Sequence, residues 1–277
     1  MAKTYWYLRY PHGKSKAITL SYDDGVRGDI HLLELMKKYG FKGAFNINYN
    51  DMAKEGEYGR HRRLWLSALK ELYACENAEV AIHTFSHSHL NAMSGSEVMT
   101  EIVEDRKGLE KEFGGVIRGM AYPYGEYNDT VVEVAKLAGI CYARTVHSNH
   151  RFDLPADWLR LNATCHHNDK MLMELAEQFK GLAVQKEPKM FYVWGHAYEF
   201  EDNANWDVIE TFFKEMQGLE DVWYATNIEI YDYVHAYEQL CFSANGRRAY
   251  NPTALDIWLG CEKETVCVPS GQTIDLE

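Results

Sequence analysis

Residues 17–25 read Ala-Ile-Thr-Leu-Ser-Tyr-Asp-Asp-Gly, an extended apolar run that stops at two adjacent carboxylates. Short apolar runs rich in β-branched and aromatic residues are typical of buried β-strands. A helix is predicted over residues 29–39, and Gly40 is placed to end it. The chain therefore opens with a strand, a polar loop and a helix, which is the repeating unit of an α/β fold.

The same unit recurs about seven times along the chain. Further strands are predicted at residues 43–49, 78–82, 119–124, 141–146, 190–195 and 222–226. Further helices are predicted at residues 62–73, 95–113, 128–137, 169–179, 206–216 and 228–240. Such alternation favours a parallel sheet, because parallel neighbours need crossover helices. At 277 residues, a closed or nearly closed barrel is expected rather than a two-domain nucleotide-binding protein.

The last part of the chain has a different pattern. From Arg247 onward, short extended pieces at residues 255–259 and 265–268 are separated by glycines and Pro269. We interpret this tail as a small β extension. The expected organisation is a barrel over residues 1–240 and a β-rich extension packed on it over residues 241–277.

Charge and composition exclude several classes of function. Acidic residues outnumber basic ones by 41 to 29, which gives a formal net charge of −12. Nucleic-acid and anionic-membrane binding are therefore not expected, because both need a basic face. No apolar run is long enough to span a membrane and no secretory signal is visible, so a cytoplasmic location is expected. The six cysteines are expected to be reduced, and only Cys261 and Cys267 are candidates for a disulfide. The oligomeric state is left open.

Four polar clusters each follow an apolar strand directly. They are residues 23–25 (Asp-Asp-Gly), 83–87 (His-Thr-Phe-Ser-His), 121–125 (Ala-Tyr-Pro-Tyr-Gly) and His196. Taken alone, each of the first three clusters is interpreted as an ordinary turn or polar loop, and His196 as a hydrogen-bonded core histidine. In α/β barrels, however, the loops that follow the strands are where catalytic groups collect.

Taken together, the clusters indicate a catalytic metal centre. One carboxylate and two histidines complete a three-ligand site that leaves a position open for water. The second carboxylate and the remaining histidine would then supply a base and an acid.

In that order, the four clusters resemble the motifs of the polysaccharide deacetylase family with the NodB homology domain, the carbohydrate esterase family 4 type. Residues 21–25, Ser-Tyr-Asp-Asp-Gly, resemble the family's Thr-Phe-Asp-Asp-Gly motif, and residues 83–87 match its His-Ser/Thr-x-x-His motif. Residues 121–125 and His196 resemble two later motifs. The resemblance covers roughly residues 15–235 and implies a distorted (β/α)7 barrel, which the small C-terminal β extension would follow.

The resemblance also implies a role for each matching residue. One divalent ion, zinc first and cobalt or nickel as alternatives, would be held by three side chains: Asp24, His83 and His87. Asp23 would be the base, the Tyr124 backbone N–H would stabilise the oxyanion, and His196 would be the acid.

The chain departs from the family pattern at the third motif. Many members have an arginine where this chain has Ala121, and that arginine pairs with the base. A subset with the Ala-Tyr-Pro-Tyr-Gly sequence also lacks it. We hypothesise that Arg160 supplies the missing charge to Asp23.

A second departure concerns the group that orients the acid. Asp157 and Trp158 resemble the family's Asp-Trp pair, so Asp157 would orient His196. The pair lies unusually far beyond residue 146, however. A helix cap or turn near Pro155 is an equally good interpretation of the same residues.

Three functions are compatible with this site. The first is a metal-dependent hydrolase that removes N-acetyl groups from a carbohydrate and releases acetate. The second uses the same centre on another non-peptide C–N bond, in a cyclic imide or an allantoin-like ureide. The third is a non-catalytic carbohydrate-binding barrel, and the presence of both Asp23 and His196 argues against it, because a binding protein needs no paired acid and base.

Overall fold

The computed structural model describes residues 5–262 and 264–276. The helices are α1 (Gly28–Tyr39), α2 (Leu66–Leu72), α3 (Gly95–Phe113), α4 (Asp129–Leu137), α5 (Leu172–Gly181), α6 (Tyr198–Asp202), α7 (Trp206–Met216) and α8 (Asn227–Glu238). The strands are β1 (Tyr7–Arg9), β2 (Lys16–Asp23), β3 (Gly43–Ile47), β4 (Ala78–Ile82), β5 (Gly119–Ala121), β6 (Tyr142–Ser148), β7 (Leu161–Ala163), β8 (Cys165–His166), β9 (Lys189–Gly195), β10 (Val222–Tyr224), β11 (Cys241–Phe242), β12 (Arg248–Tyr250), β13 (Ile257–Gly260), β14 (Thr265–Val268) and β15 (Thr273–Asp275).

The central sheet is parallel and closes on itself. Its order is β7-β6-β5-β4-β3-β2-β9-β8, and β10 pairs beside β2. The two ends meet because β7 and β8 are successive parts of one segment, which pairs with β6 on one side and β9 on the other. At the junction, the Thr164 N–H donates to the Tyr192 carbonyl at 2.8 Å. If β7 and β8 are counted as one strand, seven strands therefore surround the interior. This confirms the predicted distorted (β/α)7 barrel.

The strand that closes the barrel differs from the one that the sequence predicts. The strand predicted at residues 222–226 exists as β10, but it pairs only with residues 16–18 of β2. The barrel is closed instead by residues 161–166, Leu-Asn-Ala-Thr-Cys-His, for which no strand is predicted. This segment is short, broken at Thr164 and partly polar, so the usual strand pattern is too weak to detect it.

Helix boundaries largely follow the predictions. The capping box before α3 is present, with Ser94 and Glu97 each bonding the other's backbone N–H. Helix α2 begins at Leu66 rather than near Arg62, because Arg63 turns inward to carboxylates instead of continuing a helix. The short helix α6 is not predicted by the sequence.

Residues alternate between two environments along β2. Ile18, Leu20 and Tyr22 join the large apolar cluster that also contains the helices' buried faces. Residues of the opposite set, Thr19 and Ser21, hydrogen-bond to Asn227 and Asn46, respectively. Because successive side chains on a strand point to opposite faces, the polar set leads along the barrel interior to Asp23 at the strand's end.

The tail forms small antiparallel sheets. One has the order β1-β13-β14, so the N-terminal strand Tyr7–Arg9 pairs with Ile257–Gly260, and the other has the order β11-β12-β15. The proposed division at residues 240 and 241 stays a prediction. All six cysteines are free, so the suggested bridge between Cys261 and Cys267 is absent. Among the described residues, we find no helix with the length and apolarity needed to cross a membrane.

A buried carboxyl group supports the turn that follows β2. Asp29 Oδ2 accepts hydrogen bonds from the Val26 N–H at 2.9 Å and from the Tyr73 hydroxyl at 2.7 Å. Burial raises the pKa of Asp29 to about 8, against an ordinary value of 3.8. The folded protein therefore holds a proton there between about pH 4 and pH 8 that the unfolded chain has lost.

We expect the free energy of unfolding to contain an Asp29 contribution that is present at low pH. It is lost as the pH rises toward 8, with a slope of up to about 1.4 kcal/mol per pH unit. An Asp29→Asn variant cannot ionise at this position and should lack that slope. Urea unfolding of both proteins from pH 5 to pH 8 measures the difference, with the exposed Asp207→Asn as a control. Parallel stability curves for wild type and Asp29→Asn would contradict the prediction.

Candidate active site

The turn after β2 directs two adjacent carboxylates to one rim of the barrel. Asp23 ends the strand, and Asp24 follows in the left-handed backbone region with φ 81°. The Asp24 N–H donates to the Asn46 carbonyl of the neighbouring strand at 2.9 Å. Gly25 continues the turn with φ 61°, where an added Cβ would lie 2.9 Å from Ile47. The left-handed conformation and the close contact explain why glycine occupies this position.

Asp23 lies in a buried network that keeps it ionised. Its Oδ2 forms an ion pair with Arg144 of β6, and its Oδ1 accepts a hydrogen bond from Asn46 at 2.9 Å. Burial would raise the pKa of Asp23, but the Arg144 guanidinium, with smaller contributions from His83, His196 and Asn46, holds it below its ordinary value. The side chain is therefore an oriented carboxylate at neutral pH.

Asp24, His83 and His87 each offer one ligand atom, and these atoms lie within 4.8 Å of one another. The donor set suits a divalent ion that binds imidazole and carboxylate, such as zinc. His83 Nδ1 lies 2.8 Å from the Ala121 carbonyl. A carbonyl can only accept, so Nδ1 carries the proton and Nε2 is left with a free lone pair. Burial lowers the pKa of His83 to about 4, which keeps it neutral, the form required of a metal ligand.

The other two members of this set differ in their surroundings. His87 Nε2 lies 3.8 Å from Asp24 Oδ1, and burial lowers the pKa of His87. Arg63 forms a buried ion pair with the same Asp24 oxygen and a second ion pair with Asp51. Arg63 thus balances the Asp24 charge in this structure.

The backbone near His83 is fixed by two buried side chains. Asp105 of α3 accepts hydrogen bonds from the His83 N–H at 3.0 Å and the Tyr49 N–H at 2.6 Å. Asn48 donates to the carbonyls of His83 and Thr84. This support holds the end of β4 in one position, as a preorganised site requires.

His196 lies across from this set, at the end of β9. Its Nε2 is 3.7 Å from Asp23 Oδ2, and its Nδ1 is 2.9 Å from Glu199 Oε1. Burial would lower the pKa of His196, but the Glu199 hydrogen bond and the Asp23 and Asp24 charges more than offset it, so the pKa is raised. The imidazole is therefore suited to donate a proton from Nε2.

The loop at residues 121–125 forms another side of the site. Tyr124 adopts φ 57°, and its N–H makes no backbone hydrogen bond among the described residues. Its ring is half exposed, stacks on His89 with centroids 4.1 Å apart and meets the edge of His87 at 4.6 Å. A free N–H beside the ligand set is compatible with the oxyanion role suggested for it.

The structure does not support the hypothesis that Arg160 pairs with Asp23. Arg160 forms ion pairs with Asp157 and Asp129 on the surface. Arg144 is the cation that contacts Asp23, since it lies in the adjoining β6 with its side chain fully buried. The charge missing at position 121 is thus supplied by a neighbouring strand.

Asp157 does not contact His196 in this structure either. Its Oδ1 accepts the Leu159 N–H at 2.9 Å and caps a short helix, which agrees with the alternative interpretation of this segment. Glu199 contacts His196 instead. The spacing explains this, because residues three apart on a helical turn lie on one face.

Sequence reasoning missed four charged residues of the site: Arg63, Asp105, Arg144 and Glu199. Two of them left a detectable signal. Arg144 interrupts a predicted apolar strand, where an unpaired charge would be very costly, and Glu199 follows the last motif at i+3. Arg63 and Asp105 lie in ordinary polar surroundings of the sequence, so only tertiary structure identifies them.

We expect Arg144→Gln to lower the free energy of unfolding by about 3–5 kcal/mol, because it leaves the buried Asp23 charge unpaired. Arg160→Gln, which removes a partly exposed pair, should cost about 0–1 kcal/mol. Urea unfolding at pH 7 compares the two variants. Equal decreases in the free energy of unfolding of the two variants would show that the buried ion pair stabilises the fold no more than the exposed one does.

Comparison with known proteins agrees with this arrangement. Residues 10–143 match the family model described as polysaccharide deacetylase. YxkH of Bacillus subtilis (strain 168), provisionally named a polysaccharide deacetylase, is 23% identical over 125 residues. That match covers 45% of this chain and 42% of YxkH, so the chain spans about two fifths of the length of this curated relative.

Two solved structures share the fold. A provisionally named polysaccharide deacetylase from Mycobacterium smegmatis has a TM-score of 0.59 and 14% identity, covering 85% of this chain and 96% of its own. The Xyl-CE4 domain of a multidomain xylanase from the hindgut metagenome of Trinervitermes trinervoides has a TM-score of 0.51 and 15% identity. The match covers 80% of this chain and 92% of that domain. Since the family model spans the strands and loops that carry Asp23, Asp24, His83 and His87, residues 10–143 contain a polysaccharide deacetylase domain.

Proposed function

We propose that this protein is a metal-dependent hydrolase that removes N-acetyl groups from a carbohydrate. The observation that carries the proposal is the placement of Asp23 and His196. The carboxylate and the imidazole Nε2 lie 3.7 Å apart, beside three side chains suited to hold a divalent ion. A base, an acid and a cation site at one rim are the parts that amide hydrolysis requires.

The ion would be held by Asp24, His83 and His87. The neutral, Nε2-accepting form of His83 and the close spacing of the three ligand atoms support this assignment. When bound, the ion polarises the substrate carbonyl and makes an attacking water more acidic. Zinc suits this donor set best, while cobalt and nickel are compatible with it.

Asp23 is proposed to accept the proton of the attacking water. Arg144 and Asn46 engage its two oxygens, so the carboxylate has a fixed orientation before substrate arrives. The lowered pKa keeps it unprotonated and ready to accept at neutral pH. The Tyr124 N–H is proposed to donate to the oxygen on which negative charge develops.

His196 is proposed to protonate the departing amine. Glu199 accepts from Nδ1, which directs Nε2 toward the reacting atoms near Asp23. The raised pKa increases the fraction of imidazolium, the form that can donate. The bond that breaks is the amide C–N bond, and the products are acetate and a free amino sugar.

The surroundings of the site favour a glycan that carries no dense negative charge. The half-exposed Tyr124 ring and the stacked His89 offer flat surfaces at the rim, which suit the apolar face of a sugar. The net charge of −12 disfavours polyanionic chains.

Acetate release from N-acetylglucosamine oligomers tests the proposal. We expect the protein to release acetate with zinc, cobalt or nickel, to lose activity after chelation and to recover when metal is restored. Asp23→Asn should reduce kcat by about 10²–10⁴-fold with little change in metal content, since it removes general base catalysis. The exposed Asp129→Asn is the control.

The same assay with cyclic imides and ureides separates the alternatives. Turnover of these amides, with no acetate released from the oligomers, would show that the substrate is a cyclic imide or ureide and not an N-acetylated carbohydrate. Full activity of Asp23→Asn on the true substrate would show that the assigned base is wrong.

Glu199→Gln and Asp157→Asn together identify the group that orients the acid. We expect Glu199→Gln to reduce kcat at least about tenfold, within the 10²–10⁴-fold that acid catalysis contributes. It should also move the alkaline fall of the pH–rate profile to lower pH, because Glu199 helps to raise the His196 pKa. Asp157→Asn should leave both unchanged. The reverse pattern would restore the original assignment of Asp157.

A further inference from the structure

A second cluster of ligand-capable side chains lies behind His196, on the side away from Asp23. His166, His196 and Glu199 each offer one ligand atom, and these atoms lie within 4.8 Å of one another. The residues come from β8, the end of β9 and α6, so the fold brings together three separate elements. His167 adds a fourth group, with Nε2 3.1 Å from Glu199 Oε2.

The distances in this cluster approach those of a coordination shell. Glu199 lies 2.9 Å from His196 Nδ1, 3.1 Å from His167 Nε2 and 3.3 Å from His166 Nε2. Bonds of about 2.0–2.2 Å to a tetrahedral zinc ion place neighbouring ligands roughly 3.3–3.5 Å apart. The three Glu199 distances are therefore close to the spacing of neighbouring ligands, and the ligand atoms of His166, His196 and Glu199 are separated by no more than 4.8 Å.

His167 is the least satisfied member of the cluster. It is fully buried, and neither ring nitrogen has a hydrogen bond of acceptable geometry among the described residues. Its ring is held between Tyr22, with planes 11° apart, and Phe200, with ring centroids 4.0 Å apart. Gly195 lies so close that an added Cβ would be 2.0 Å from His167 Nδ1. The imidazole is thus held rigidly with Nε2 3.1 Å from the Glu199 carboxylate, while Nδ1 has no hydrogen-bond partner among the described residues.

We propose that His166, His167, His196 and Glu199 form a second site for a divalent cation such as zinc. Three imidazoles and one carboxylate are a donor set that this ion prefers. The site is separate from the one formed by Asp24, His83 and His87, and it uses the opposite ring nitrogen of His196 from the one that faces Asp23.

Occupation of this site would inhibit the enzyme, a consequence that rests on the proposed function. An ion on Nδ1 displaces the proton that His196 shares with Glu199. The ring then keeps its Nε2 proton, because giving it up would leave an imidazolate. His196 could no longer protonate a departing amine.

One hydrogen bond opposes binding and sets the expected order of affinity. The Asn168 N–H donates to His166 Nδ1 at 3.1 Å, so the neutral His166 ring carries its proton on Nε2, facing Glu199. An ion at Nε2 must displace that proton, and this backbone hydrogen bond is then lost. The second site should therefore fill only after the first, at an excess of the ion.

Zinc titration of the chelator-treated 277-residue chain tests the inference without any substrate. We expect calorimetry to resolve two classes of site in the wild type and elemental analysis to find two equivalents. His166→Asn should retain only the tighter class, and His83→Asn only the weaker one. His235→Asn, which changes a partly exposed histidine of α8 outside both clusters, is the matched control and should retain both. A single class in the wild type, or two classes in His166→Asn, would overturn the second site.

Activity supplies an independent readout. Relative to its own rate at one equivalent of zinc, the wild type should lose at least about tenfold in rate at a large excess of zinc, whereas His166→Asn should keep its rate. Two ions in the wild type and one in His166→Asn would support the site even if no glycan is hydrolysed, and only the proposed function would then fail. Equal inhibition of both proteins by excess zinc would overturn the inhibitory role.

Discussion

The buried ion pair between Asp23 and Arg144 is the interaction on which the geometry of the site depends. It joins β2 to β6 across the barrel, and both side chains are almost entirely removed from water. Two charges in such a place are tolerated only when further contacts satisfy them. Asn46 supplies one contact to the carboxylate, and the Trp194 ring lies 4.4 Å from the guanidinium carbon. Asn46, Arg144 and Trp194 come from three different strands. The closed barrel is therefore required to hold the Asp23 side chain in a single orientation.

Backbone strain is concentrated at the same rim. Asp24, Thr84, His87 and Tyr124 all have positive φ, a conformation that residues other than glycine seldom adopt. Such residues cost on the order of 1–3 kcal/mol each and persist only where the surroundings enforce them. Each one lies in a turn after a barrel strand, where the chain must reverse quickly for its side chains to converge. The rigid strands thus support turns that would not form alone.

The sequence predicts the parts of this protein that depend on local pattern. Strand–helix alternation predicts the barrel, and the carboxylates and histidines stand directly after apolar runs, so their rim is also predictable. Arg144 is 121 residues from Asp23 along the chain, and no local pattern links the two. The strand segment at residues 161–166 is not predicted for a related reason. Its pairing with β6 and β9 stabilises the extended conformation more than the β-propensity of its residues does.

Glu199 and Asp157 also show that local sequence pattern does not identify long-range contacts. Both are acidic residues near aromatic side chains, and a resemblance favours Asp157. The short helix α6 places Glu199 one turn from His196 and in contact with it, whereas Asp157 caps the short helical turn at residues 158–160. Which carboxylate orients a histidine is a property of the fold, because a difference of a few ångströms selects the partner.

The two kinds of histidine in this site differ because of what their Nδ1 atoms contact. His83 Nδ1 faces the Ala121 carbonyl, a neutral acceptor, and burial then lowers its pKa to about 4. His196 Nδ1 faces the Glu199 carboxylate, which helps to raise the pKa of this partly buried ring. A neutral imidazole with a free Nε2 can bind a metal ion, while an imidazolium with Nε2–H can donate a proton. With the roles proposed above, one residue type would serve two opposite chemical purposes at a single rim, and the acceptor bound to each Nδ1 atom would determine which.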